Sequence, residues 1–74
     1  MTDELLRMWG NNVKQFRGAR QLSVAEFAEA VGVTQATVSR WEAGLMAPRD
    51  RHKVAIATVL GVDVYTLFPL VRPA

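Results

Sequence analysis

The chain has 74 residues, half of them hydrophobic, a formal charge of +2 and no cysteine. That is enough for one domain with one small core, and it excludes a disulfide framework or a thiolate metal site. His52 is the only histidine, which argues against a histidine-based metal centre and most histidine-dependent catalysis, so no metal or cofactor is expected.

The charge is unevenly laid out. Cations gather at Lys14, Arg17 and Arg20, at Arg40, and again at Arg49, Arg51 and Lys53. Such clusters suit a polyanion, although solvated helix faces share the pattern. No apolar run approaches the roughly 20 residues needed to cross a membrane. Asp3, Glu4 and Arg7 break any leader-like start, so a cytoplasmic, nucleoid-associated location is expected.

Five helical segments follow one another, and no strand alternation competes, which predicts an all-α bundle. The first spans about 2–20, with Leu5, Trp9, Val13 and Phe16 at three- and four-residue spacing. Gly10, Asn11 and Asn12 are poor helix formers in its middle, so its regular part is expected to begin only near Gly10. The second opens on Ser23-Val24-Ala25-Glu26, a capping box, and closes at Gly32. Phe27, Ala28 and Val31 form its apolar face. Thr34 caps a third helix that buries Val38 and Trp41 and ends by Gly44. A fourth starts near Asp50 with Val54, Ala57 and Leu60 at helical spacing, and runs to Gly61. Asp63 caps a last short helix carrying Val64, Leu67 and Phe68, which Pro69 stops.

The second and third segments fit two short helices crossing at a tight turn. Ala28 supplies a small side chain for close approach, Gly32 a positive φ, and Phe27, Val31, Val33, Val38 and Trp41 a shared core. Each feature is common, but all of them in register over some 20 residues point to a DNA-binding helix-turn-helix. From about Val13 to Phe68 the chain resembles the phage-repressor and Cro-type family, also called the xenobiotic-response-element family. The stretches VKQFRGARQLSVAEFAEAVGVTQATVSRWEAG, AP and VAIATVLGVDVYTLF carry the likeness.

The resemblance implies a compact, lambda-repressor-like bundle of five helices. It implies a transcription regulator, by the simplest guess a repressor, that inserts residues 34–43 into the major groove of an operator, usually as a dimer. Its base-contacting positions fall on Gln35, Ala36, Thr37 and Arg40. Gln35 has the donor and acceptor for adenine, Arg40 suits guanine or a phosphate, and Ala36 and the Thr37 methyl suit a thymine methyl. Phosphate contacts are expected from Thr34, Ser39, Arg49, Arg51, Lys53 and Lys14. Arg17 and Glu42 are expected to form a structural ion pair between the first helix and the end of the third. Two departures stand out: Val24 replaces the glutamine that often follows the capping serine, and Leu45 and Met46 stand where a lysine or arginine often follows helix three.

The segment 62–71 is strongly apolar. Leu67 and Phe68 are expected to cover the core, while Tyr65, Leu70 and Val71 exceed its needs and suggest a homodimer surface. An enzyme is disfavoured, because no nucleophile–base pair, glycine-rich phosphate loop or paired carboxylate is present. The competing function is an antitoxin-like or other protein-interaction module on the same fold, favoured by the apolar tail and the missing phosphate contacts.

Overall fold

The computed structural model describes the backbone of residues 2–70 and the side chains of residues 4–70. Five helices follow in order: α1 Thr2–Ala19, α2 Val24–Val31, α3 Gln35–Glu42, α4 Asp50–Leu60 and α5 Val64–Leu67. No strand occurs among the described residues. The core is Trp9 and Val13 of α1, Phe27 and Ala28 of α2, Val38 and Trp41 of α3, Ile56, Ala57 and Leu60 of α4, and Leu67 with Phe68 at the end of α5.

Local chemistry explains most of the boundaries. The Ser23 hydroxyl accepts from the Glu26 amide at 3.0 Å while the Glu26 carboxylate accepts from the Ser23 amide at 2.9 Å, closing the capping box that starts α2. The Ser23 backbone amide donating to that carboxylate, aided by the Ser23 hydroxyl, holds the Glu26 carboxyl below its usual range. Gly32 ends α2 at φ +89°, returning its amide to the Ala28 carbonyl at 2.8 Å. Asp63 accepts from the Tyr65 amide at 2.7 Å and starts α5. The chain leaves α1 through Gln21 at φ 57°, the only residue other than glycine with positive φ among the described residues.

Two expectations fail, and both failures have a packing reason. First, α1 is regular from Thr2 and does not begin near Gly10. Gly10 is buried where α1 crosses the end of α3, so close that a Cβ there would lie 2.4 Å from the Trp41 carbonyl oxygen and 2.6 Å from that of Glu42. Asn12, the other weak helix former, donates to the Leu67 carbonyl at 2.9 Å and pins α5 to α1. Tertiary partners thus override local propensity.

Second, Val54 does not face the core: it is 61% exposed, while Ile56 is completely buried. The inward stripe of α4 is 53, 56, 57 and 60, and Val54 is turned about 100° from Lys53 at the middle of that stripe. The Lys53 stem is accordingly covered, and its Nζ sits 4.4 Å from the centre of the Trp9 ring, 5.8 Å from that of Phe68 and 3.6 Å from Asp50 Oδ1. Trp9 also donates its indole N–H to the Pro69 carbonyl at 2.8 Å and meets the Phe68 ring edge-on at 5.5 Å. Lys53 therefore belongs to the seam joining α1, α4 and α5.

Candidate nucleic-acid interface

The site is built on α3. Its inner residues Val38 and Trp41 are 0% and 2% exposed, which fixes the rotation of the helix about its own axis. Four further features fix its position. Gly10 lets α1 lie directly on the carbonyls of Trp41 and Glu42. Arg17 of α1 donates from Nε and Nη2 to the two Glu42 carboxylate oxygens at 2.7 and 3.1 Å, and from Nη1 to the Leu22 carbonyl at 2.7 Å. The pair is largely covered, with side chains 15% and 9% exposed. Accepting its protons, Glu42 drives the Arg17 pKa still higher despite the burial, so Arg17 stays cationic at any accessible pH. At the helix start the Thr34 hydroxyl accepts from the Thr37 amide at 3.2 Å. Behind the helix, the Trp41 ring meets the His52 ring of α4 at 5.4 Å, and its buried indole N–H has no hydrogen-bond partner among the described residues.

Held in this way, α3 turns Gln35, Ala36, Ser39 and Arg40 to solvent, with Thr34 exposed at its cap and Thr37 half-buried. Ala36 and Arg40 are four residues apart and Thr37 and Arg40 three, so they share one helix surface. Of the four residues expected to meet bases, three are exposed and Thr37 is half-buried. The face is rigid behind and open in front. Arg49, the residue capping α4, and Arg51 are exposed, as is Lys14 on α1. These residues supply positive charge at the surface.

The apolar departures are also on the surface. Leu45 is 74% exposed and Met46 41%, in the loop directly after α3. Val24 is half-buried against the core instead of reaching outward. On the α4–α5 side, Val54, Tyr65 and Leu70 are exposed around an open groove floored by Val64 and Phe68 and bordered by Asp50 and Lys53. Val71, the remaining residue assigned to a pairing surface, lies outside the described residues. Among the described residues no group of histidine, cysteine or carboxylate side chains is arranged to hold a metal ion, and no helix is long and apolar enough to cross a membrane.

Sequence reasoning missed two contributors to this arrangement. Gly10, a poor helix former by propensity, is the place where α1 touches α3. Gln21 supplies the left-handed residue that turns α1 into the Ser23 cap, and nothing in its side chain announces it. A poor helix former in the middle of an otherwise well-patterned amphipathic helix was the available signal for the first.

A helix-turn-helix family model matches residues 13–67. Among solved structures, the chain is similar to the clp gene regulator ClgR from Corynebacterium glutamicum, with a TM-score of 0.81 and 24% identity over 85% of this chain and 67% of that one. At this identity the likeness establishes the fold alone. No curated protein sequence matches.

Proposed function

The chain belongs to the helix-turn-helix family, and from that membership we propose that it is a sequence-specific DNA-binding transcription regulator that inserts residues 34–43 into the major groove of an operator. One observation carries the reading: α3 is locked from behind by Val38, Trp41 and the Arg17–Glu42 pair while Gln35, Ala36 and Arg40 stand free in front. Gln35 pairs with adenine through its amide, and Arg40 with guanine O6 and N7. Thr34, Ser39, Arg49, Arg51 and Lys14 take phosphates. In this reading the regulator acts as a repressor by occupying a promoter.

The groove ringed by Val54, Tyr65 and Leu70 supports a homodimer through α5 and the segment after it. A two-fold pairing there spaces the α3 helices about 34 Å apart, one turn of duplex, and asks for a palindromic operator. The exposed Leu45 and Met46 favour a second reading, in which this surface docks a protein partner as in antitoxin-like modules.

Salt separates the two. Three cationic phosphate contacts per subunit, Arg49, Arg51 and Lys14, give duplex binding that falls steeply with salt, with a log–log slope of about −3 for one subunit and roughly twice that for a dimer. Selection from a random DNA pool then yields a defined sequence, and Arg40→Ala relaxes its preference at one base pair at a cost of about 1–3 kcal/mol. A flat salt response, or no duplex binding at low salt, overturns the DNA reading in favour of a protein partner.

A further inference from the structure

The loop after α3 carries no cation of its own: Leu45 and Met46, both apolar and exposed, follow directly on Gly44. What lies against that glycine is Arg7. A Cβ built on Gly44 would stand 2.7 Å from the Arg7 Cγ and 2.9 Å from its Cα. The early turns of α1 are thus folded onto the loop, and they bring an exposed arginine to it. Arg7 stands outside residues 13–67, the stretch that the helix-turn-helix model matches. A second observation concerns Lys14. Seven residues turn an α-helix by about 700°, some 20° short of two full turns, so Arg7 and Lys14 share one face of α1, about 10 Å apart along its axis. Both are exposed.

We propose that Arg7 contacts a DNA phosphate, supplying from α1 the cation that the loop after α3 lacks. This rests on the reading that residues 34–43 enter the major groove, which brings the loop at Gly44 up to the sugar–phosphate backbone. An arginine suits the place, because its stem can pack on the glycine while its planar head, with several donors, reaches a phosphate. Gly44 then serves twice. It takes the left-handed backbone, φ 74°, that closes α3, and it leaves the room through which α1 delivers Arg7. A contact of this kind adds affinity and leaves base preference alone.

The test uses the full chain and a duplex selected from a random pool, with binding measured from about 50 to 200 mM salt. Arg7→Met keeps a stem against Gly44 and removes the charge. It makes the log–log salt slope shallower by about 0.9 for each subunit bound, so the wild-type advantage shrinks about three- to fourfold per subunit over that range. Arg7→Gln, a second neutral variant, does the same, and Arg7→Lys keeps the wild-type slope. Leu45→Lys added to Arg7→Met restores the slope, since the cation returns to the loop itself. When backbone phosphates are neutralised one at a time as methylphosphonates, one replacement weakens the wild type and not Arg7→Met. The selected sequence is the same for every variant, and melting curves show that each is folded. A wild-type slope in both neutral variants overturns the proposal, and so does an equal loss of slope in Arg7→Lys, because the side chain then acts by packing alone. Either result leaves steep, sequence-selective binding by the wild type in place, whereas failure of the wild type to bind duplex sinks the DNA reading and this proposal together.

Discussion

Replacing Gly10 by alanine sets helix propensity against tertiary packing, with opposite signs. In an isolated helix the change is favourable by about 1 kcal/mol. In this fold the new methyl carbon would stand 2.4 Å from the Trp41 carbonyl oxygen, 2.6 Å from that of Glu42 and 2.9 Å from the Glu42 carbonyl carbon. Weak C–H···O contacts are not closer than about 3.3 Å, so α1 and the end of α3 must part by roughly 0.9 Å. No rotamer change relieves this, because every atom it meets is backbone. Overpacking of that kind costs about 1–3 kcal/mol, occasionally more, and the upper end applies here. The net loss is about 2 kcal/mol, or a fall in Tm of roughly 8–16 °C for a domain of this size. Gly18 is the control. It lies in the same helix with nothing within 4 Å of its missing Cβ. Gly18→Ala should gain about 0.5–1 kcal/mol and raise Tm by a few degrees. Thermal unfolding followed by circular dichroism measures both. If Gly10→Ala melts at or above the wild-type temperature, α1 does not lie on α3 as described.

Glu42→Ala leaves the largely covered Arg17 guanidinium with only the Leu22 carbonyl for company. Breaking a fully buried pair costs about 3–5 kcal/mol, and the residual exposure lowers this to about 2–3. A Tm within 3 °C of wild type would contradict the assignment, and Glu42→Gln, which keeps one acceptor, should fall between. Gln21→Gly relieves a left-handed φ of 57° and should stabilise by about 1 kcal/mol, whereas Gln21→Ala should not. Denaturant midpoints separate the two. The Glu26 carboxyl, held low by Ser23, stabilises the fold above the ordinary carboxylate range and loses that contribution as pH falls through its lowered pKa. Glu26→Gln should therefore lower the neutral plateau slightly and flatten the acid limb of the stability curve; an unchanged acid limb would remove Glu26 from the account. Tyr65→Asp with Leu70→Asp should leave the fold intact but turn a dimer into a monomer by sedimentation, and a change in melting with no change in mass would count against the α5 surface.

The elements legible in the sequence were those governed by near neighbours. Ser23 with Glu26, Gly32, Thr34 and Asp63 each act within a turn or so of chain, and the boundaries of α2, α3 and α5 followed from them. So did the outward aspect of Gln35, Ala36 and Arg40, because Val38 and Trp41 define the opposite side of the same short helix. What escaped depended on partners remote in sequence. Nothing near Gly10 announces the carbonyls of Trp41 and Glu42, and nothing near Asn12 announces that of Leu67. On α4, valine and lysine were assigned by polarity to the inside and the outside. The aromatic pair Trp9 and Phe68 reverses that assignment, because a ring face accommodates an ammonium and the stem beneath it better than open water rewards exposing them.

The long α1 follows from the shortness of α3. An eight-residue helix with a single side-chain cap is well below the roughly 12–15 residues at which isolated helices become marginal in water. Its order must come from its back, where two of its eight residues are buried. The carboxyl end is closed by Gly44 at φ 74°, with the Leu45 amide returning to the Arg40 carbonyl at 2.9 Å, and α1 adds support from outside: Gly10 lies against the last carbonyls, and Arg17 binds the carboxylate of the final residue. A base-reading surface gains from this division, since residues that hold the helix need not change when residues that meet DNA do. Substitutions at 35, 36 and 40 should therefore move sequence preference while leaving Tm nearly fixed, and substitutions at 10, 17 and 42 should move Tm while leaving the preferred sequence unchanged. A variant at 35, 36 or 40 that lowers Tm by more than a few degrees would show that the two sets of residues are not separable.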